Sequence, residues 1–128
     1  MTPASILVIE DNPQNLYLMR FLLEGQGFSV HAAIDGREGI QMAKTLRPDC
    51  ILLDIQLPKL DGYSVAAALR SDPALYLTPI IAVTSYAMVG DREQAIASGA
   101  TDYIEKPIDP ARFVDQVRKH LPSETPPC

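Results

Sequence analysis

Short unbroken apolar runs, separated by longer segments of helical period, constrain the fold of this 128-residue chain more than any other feature. Ile6-Leu7-Val8-Ile9, Cys50-Ile51-Leu52-Leu53 and Ile80-Ile81-Ala82-Val83 contain no charged residue, as strands covered on both faces require. Phe28 to Ala33 and Thr101 to Glu105 are weaker runs that bring the strand number to five. Between the runs, Leu16, Met19, Leu22 and Leu23 form one helical stripe, and Ile40, Ala43 and Leu46 a second. Val65, Ala68 and Leu69 form a third, and Phe113, Val114, Val117 and Leu121 the last. The stretch from Met88 to Ala97 has helical propensity but little large apolar surface, chiefly Met88, Val89 and Ile96, so it should pack loosely.

Punctuation agrees with this parsing. Asn12-Pro13 reads as an N-cap followed by proline in the first turn, Gly25 and Gly27 end that helix, and Pro48 stops the next. The expected fold is therefore α/β: a (βα)5 unit, a doubly wound five-stranded parallel sheet, flavodoxin-like with the order 2-1-3-4-5 if strands one and three are neighbours. Pro122, Pro126 and Pro127 crowd the last seven residues, so the final helix should stop near Leu121. Residues 1–121 then form one domain and residues 122–128 a disordered proline-rich tail.

Composition narrows the function classes. A hydrophobic share of 47% and a charged share of 21% are those of an ordinary globular domain. A net charge of −5 argues against direct binding to nucleic acid or an anionic membrane, whose surfaces attract basic patches. The first apolar run is followed at once by Glu10 and Asp11, which fits neither a secretory leader nor a membrane span; a cytoplasmic protein is expected. Cys50 lies inside an apolar run and Cys128 at the end, a pattern of free thiols rather than of a disulfide or a zinc site.

The chemistry lies just past the ends of the strands. Glu10 and Asp11 come after the first, Asp54 after the third, Thr84 after the fourth and Lys106 after the fifth. Ligands of open parallel sheets gather at the carboxyl ends of the strands, where the order reverses. With strands one and three adjacent, three carboxylates, a hydroxyl and an ammonium converge there. Carboxylates so close repel one another unless a cation sits between them, and all-oxygen donors suit Mg²⁺ or Mn²⁺. Such a site suits phosphoryl transfer, with Asp54 on the central strand as the nucleophile.

The motifs Ile6-Leu7-Val8-Ile9-Glu10-Asp11-Asn12, Leu53-Asp54-Ile55-Gln56-Leu57-Pro58 with Asp61-Gly62, Ala82-Val83-Thr84-Ser85 and Glu105-Lys106-Pro107 together resemble the receiver domain of two-component response regulators. The resemblance runs from Ser5 to about Leu121. It implies that Asp54 accepts a phosphoryl group from a histidine kinase or a histidine phosphotransfer protein, with Mg²⁺ held by Asp11, Asp54, the Gln56 backbone carbonyl and, through water, Glu10. Many members have Asp where Glu10 stands. It further implies that Lys106 holds a phosphoryl oxygen, that the Lys106-Pro107 bond is cis and that Thr84 and Tyr103 form a coupled switch. Gln56 and Tyr86 would flank the path of attacking water and tune the phosphoryl lifetime. The output would be a changed surface of helix four, strand five and helix five that controls a downstream protein target, with a phosphorylation-linked homodimer as a further expectation. Such a protein promotes only its own phosphorylation and dephosphorylation and is not otherwise an enzyme.

Other readings fit less well. A flavin or nucleotide binder wants a glycine- and hydroxyl-rich first loop, whereas Glu10-Asp11-Asn12-Pro13 presents anions. An aspartyl phosphatase of the haloacid dehalogenase type wants an acid two residues after the nucleophile, where Gln56 stands. A receiver cut from a hybrid histidine kinase or a larger regulator remains the alternative to a stand-alone regulator. His31, in a strand, and His120, in the last turn of a helix, are not phosphoryl carriers.

Overall fold

The computed structural model describes residues 3–57, 60–85 and 89–121, apart from the side chains of residues 89 and 91. Pro58, Tyr86, Met88 and residues 122–128, and with them the readings placed on Tyr86 and on the tail, lie outside that set. The strands are β1 (Ser5–Ile9), β2 (Ser29–Ala33), β3 (Cys50–Asp54), β4 (Ile80–Thr84) and β5 (Asp102–Glu105). The helices are α1 (Pro13–Glu24), α2 (Gly36–Leu46), α3 (Gly62–Arg70), α4 (Val89–Ser98) and α5 (Pro110–Arg118). A 3-10 turn at Pro73–Leu75 comes after α3. The five strands are parallel, as the alternating pattern predicts, and their order β2-β1-β3-β4-β5 is the expected doubly wound one.

Every residue of β3 and β4 is buried, which is why these runs carry no polar alternation. Successive side chains leave opposite faces of the sheet. Ile6 and Val8 join Met19 and Leu23 of α1 and Phe113 and Val117 of α5 on one side. Leu7 and Ile9 join Ala43 of α2 and Val65 and Leu69 of α3 on the other. A third, much smaller cluster of Ile55, Ala82, Ala95 and Ala100 seats α4, with Tyr63 and Tyr103 packed against it.

Helix starts obey their caps. Asn12 Oδ1 accepts hydrogen bonds from the amides of Gln14 and Asn15, and Asp35, Asp61 and Asp109 cap α2, α3 and α5 in the same way. Four details depart from the sequence reading. The core-facing side of α2 is wider than the Ile40-Ala43-Leu46 stripe: Ile40 packs half-buried on the cluster that holds Ala43, but Gly36 and Gly39 are buried more fully, and Ile9 fills the space over Gly39, where a Cβ would meet Ile9 Cδ1 at 2.5 Å. In α3 the buried residue is Ala66 rather than Ala68. α5 ends at Arg118, before His120 and Leu121; on α4, Ile96 stays 46% exposed while Ala95 is buried.

Two polar groups tie down the edge of the sheet remote from the strands' carboxyl ends. The Arg70 guanidinium donates to the carbonyls of Gly99, Leu75, Tyr76 and Thr78 and to Thr101 Oγ1, at 2.7 to 3.2 Å. It thereby joins α3 to the ends of α4 and β5. His120 is not in the last turn of a helix: it lies beyond α5, and its Nε2 stands 2.6 Å from Asp102 Oδ2 at the start of β5. Burial by itself would raise the Asp102 pKa, but the bond to His120, the Tyr103 amide and the charge of Lys119 outweigh it and hold the carboxyl below its ordinary 3.8. A depressed carboxyl adds stability above its unfolded pKa and loses it as the pH falls through the folded value. Asp102→Asn should therefore cost about 1 kcal/mol at pH 7, and the gap to the wild type should close below about pH 3.9. Urea unfolding at pH 7 and pH 3 reads this directly; an equal gap at both values would contradict it.

Candidate functional site

Among the described residues, the buried polar or charged side chains are Glu10, Asp54 and Thr84, each 3% exposed or less. All three sit at or just past the carboxyl ends of adjacent strands, β1, β3 and β4. A protein interior rejects unpaired carboxylates, so two of them side by side at one edge mark a functional site rather than a packing feature. Asp11, exposed in the turn before α1, completes the group: carboxylate oxygens of Glu10, Asp11 and Asp54 all lie within 4.8 Å of one another.

Lys106 reaches into the cluster from the end of β5. Its Nζ stands 3.2 Å from Glu10 Oε1 and 3.4 Å from Asp54 Oδ1, and its peptide bond to Pro107 is cis. The Lys106 amide donates to the Thr84 carbonyl at 2.7 Å, continuing the β4–β5 ladder past the last strand residue. Backbone amides add to this: Asn12 N–H donates to the other Glu10 oxygen, Oε2, at 3.2 Å, and Gln56 N–H donates at 2.9 Å to Asp54 Oδ1, the oxygen that Lys106 also faces.

One ammonium does not balance the cluster. Burial, then the hydrogen bond shared with Asp54 and the Asp54 charge, push the Glu10 carboxyl up to about 7, against the opposing pull of Lys106 and the Asn12 amide. Glu10 Oε1 is buried without a hydrogen bond, its Lys106 contact being an ion pair only. A buried carboxylate oxygen held by one shared ammonium, and facing two further acids, leaves the cluster short of positive charge. The all-oxygen donor set fits a hard cation, and these residues can hold one.

Thr84 and Ala82 share a face of β4 by strand alternation, and Ala82 belongs to the cluster under α4. Tyr103 lies half-buried on β5, opposite Ala82, and packs on that same cluster. The structure thus puts Glu10, Asp11, Asp54 and Lys106 together, with Thr84 beside them and Tyr103 one layer below. Reading the sequence missed a further link: Ser85 N–H donates to the Gln56 side-chain oxygen at 3.2 Å, across 29 residues of chain.

The family model described as the response regulator receiver domain matches residues 6–118. The chain belongs to the response regulator receiver domain family. It is 40% identical over 119 residues to the polar-differentiation response regulator DivK of Brucella anthropi, a match covering 93% of this chain and 97% of DivK. Among solved structures, it resembles the chemotaxis protein CheY4 of Vibrio cholerae with a TM-score of 0.90 at 27% identity, over 94% of this chain and 100% of that one. It also resembles the receiver domain of the sensor histidine kinase PA1611 of Pseudomonas aeruginosa, with a TM-score of 0.85 at 36% identity over 92% of this chain and 97% of that one. That receiver has a magnesium ion coordinated in its active-site cleft. Receiver domains are signalling switches, and the buried acidic cluster of this one occupies the end of the sheet where such folds bind ligands. No helix among the described residues is long and apolar enough to cross a membrane.

Proposed function

We propose that this receiver domain, spanning residues 1–121, is a cytoplasmic switch that takes a phosphoryl group from a phosphohistidine on a histidine kinase or a histidine phosphotransfer protein. The reading rests above all on the burial of Glu10 and Asp54 side by side under Lys106. An Asp54 carboxylate oxygen attacks phosphorus as the P–N bond to the donor imidazole breaks, and water later releases the group. Glu10, Asp11, Asp54 and the Gln56 backbone carbonyl would hold Mg²⁺, or Mn²⁺, which when bound neutralises phosphoryl oxygens. Lys106, already 3.4 Å from Asp54, gives a charge-assisted bond to one oxygen and the Thr84 hydroxyl a bond to another.

Drawing the Thr84 side chain inward makes room beside it, and Tyr103 moves into that room. The surface of α4, β5 and α5 changes with it and selects a downstream protein target or a second phosphorylated copy. Moving such an equilibrium from 1:99 to 99:1 takes about 5.5 kcal/mol, of which charge-assisted bonds from Lys106 and Thr84 contribute about 1.5 to 3 kcal/mol each. The small core beneath α4 supports this assignment, since few contacts must break for the helix to move.

Incubation with acetyl phosphate and Mg²⁺, with intact-mass measurement of the product, tests the reading: one phosphoryl group should be gained, and EDTA should abolish the gain. Asp11→Ala should raise the half-saturating Mg²⁺ concentration at least about tenfold. An unchanged Mg²⁺ requirement in that variant would remove Asp11 from the ligand set.

A further inference from the structure

The β3–β4 ladder is interrupted where it reaches the acidic cluster. Ile55 N–H donates to the Val83 carbonyl at 3.0 Å, so the next rung of a parallel ladder would run from Ser85 N–H to the Ile55 carbonyl. That carbonyl is taken instead by Gly62 N–H, at 2.9 Å, from the first turn of α3. Ser85 N–H is left to the side-chain oxygen of Gln56, while the backbone amide of Gln56 donates to Asp54 Oδ1. One residue therefore connects the buried Asp54 carboxylate to the residue directly after Thr84.

We propose that the Gln56 carboxamide is a positioning residue, a replaceable acceptor that holds Ser85 N–H in the unphosphorylated protein and surrenders it when Asp54 carries a phosphoryl group. The inference rests on the phosphoryl-acceptor reading above. A ladder carbonyl is fixed by its strand, but a side-chain carbonyl leaves by rotating about its own bonds, so Ser85 N–H can change partner without moving β3. A phosphoryl group on Asp54 brings oxygens carrying negative charge next to this donor. Such oxygens accept a backbone N–H more strongly than a neutral carboxamide does. The exchange of partner pulls Ser85, and Thr84 with it, toward the modified Asp54. Gln56 thus sets part of the resistance to switching from the resting side.

Two substitutions separate this role from packing. Gln56→Met keeps the length of the side chain and removes the acceptor; Gln56→Glu keeps an acceptor oxygen. In the unphosphorylated protein, amide hydrogen exchange monitored by NMR should speed up at Ser85 at least about tenfold in Gln56→Met, with β1 and β3 unchanged, and remain slow in Gln56→Glu. The initial rate of phosphoryl uptake from acetyl phosphate should rise about threefold to tenfold in Gln56→Met, the span of one net hydrogen bond. Equal Ser85 exchange in the wild type and Gln56→Met, or uptake no faster in Gln56→Met, overturns the proposal. A wild type that takes up no phosphoryl group at all would sink the phosphoryl-acceptor reading instead, while the exchange comparison would still decide whether Gln56 holds Ser85.

Discussion

Asp54→Asn should gain no phosphoryl group under conditions that label the wild type once. The substitution nearly preserves shape, since the amide keeps an oxygen that can accept the Gln56 N–H at the 2.9 Å position, but it removes the nucleophilic carboxylate and the charge. Loss of a nucleophile abolishes covalent transfer rather than slowing it modestly, so uptake should fall by at least about a thousandfold, below detection by intact mass. The same change relieves the buried cluster. Asp54 helps push the Glu10 carboxyl up to about 7, through a shared hydrogen bond and like charge; with Asp54 neutral, Glu10 ionises more readily and Lys106 pairs with it alone. Without divalent cations at pH 8, Asp54→Asn should therefore be more stable than the wild type by about 1 kcal/mol. Wild-type-like phosphoryl uptake in this variant would place the acceptor elsewhere.

Gly62→Ala should have the largest effect on stability. A Cβ at this position would lie 2.4 Å from Ile55 Cα and 2.7 Å from the Asp54 carbonyl oxygen. These are backbone atoms, so no side-chain rotation relieves the overlap. α3 would have to withdraw from β3, breaking the hydrogen bond from Gly62 N–H to the Ile55 carbonyl and shifting the residues on either side of Asp54. The expected cost is about 2 to 3 kcal/mol, together with slower phosphoryl uptake. Gly90, near the start of α4, is the control: a Cβ there meets nothing within 4 Å, so Gly90→Ala should be neutral or slightly stabilising. Urea unfolding of the two variants makes the comparison, and equal midpoints for Gly62→Ala and the wild type would show that the α3 approach is not close-packed.

The strands were legible in the sequence because both faces of β1, β3 and β4 are covered, which leaves unbroken apolar runs; their order was not written in those runs and followed from the doubly wound arrangement expected of (βα)5 units. The cluster was legible for a related reason: in a parallel sheet every strand ends at the same edge, so the residues after Ile9, Leu53 and Val83 converge wherever they lie in the chain. The helix faces were less legible. Hydrophobic periodicity counts large side chains and so finds Ile40, which packs on the core, but not Gly36 and Gly39, whose places are filled by Val65 of α3 and Ile9 of β1. The stripe through Leu121 likewise suggested a helix longer than α5. Bonds such as Gln56 to Ser85 and Arg70 to Thr101 join residues 29 and 31 apart. Nothing local marks them, since each exists only once the fold has brought its ends together.

The seat of α4 carries one more consequence. Branched and aromatic side chains interlock like gear teeth, and a helix meshed that way moves only in discrete jumps. In the seat of α4, Ala82, Ala95 and Ala100 offer few teeth beside the branched chain of Ile55 and the rings of Tyr63 and Tyr103 at its margin, so α4 should meet a lower barrier to sliding than a helix seated on the two larger clusters. Arg70, gripping the Gly99 carbonyl at the far end, anchors that travel, so the helix should swing from its tail and sweep most widely at the end nearest Asp54.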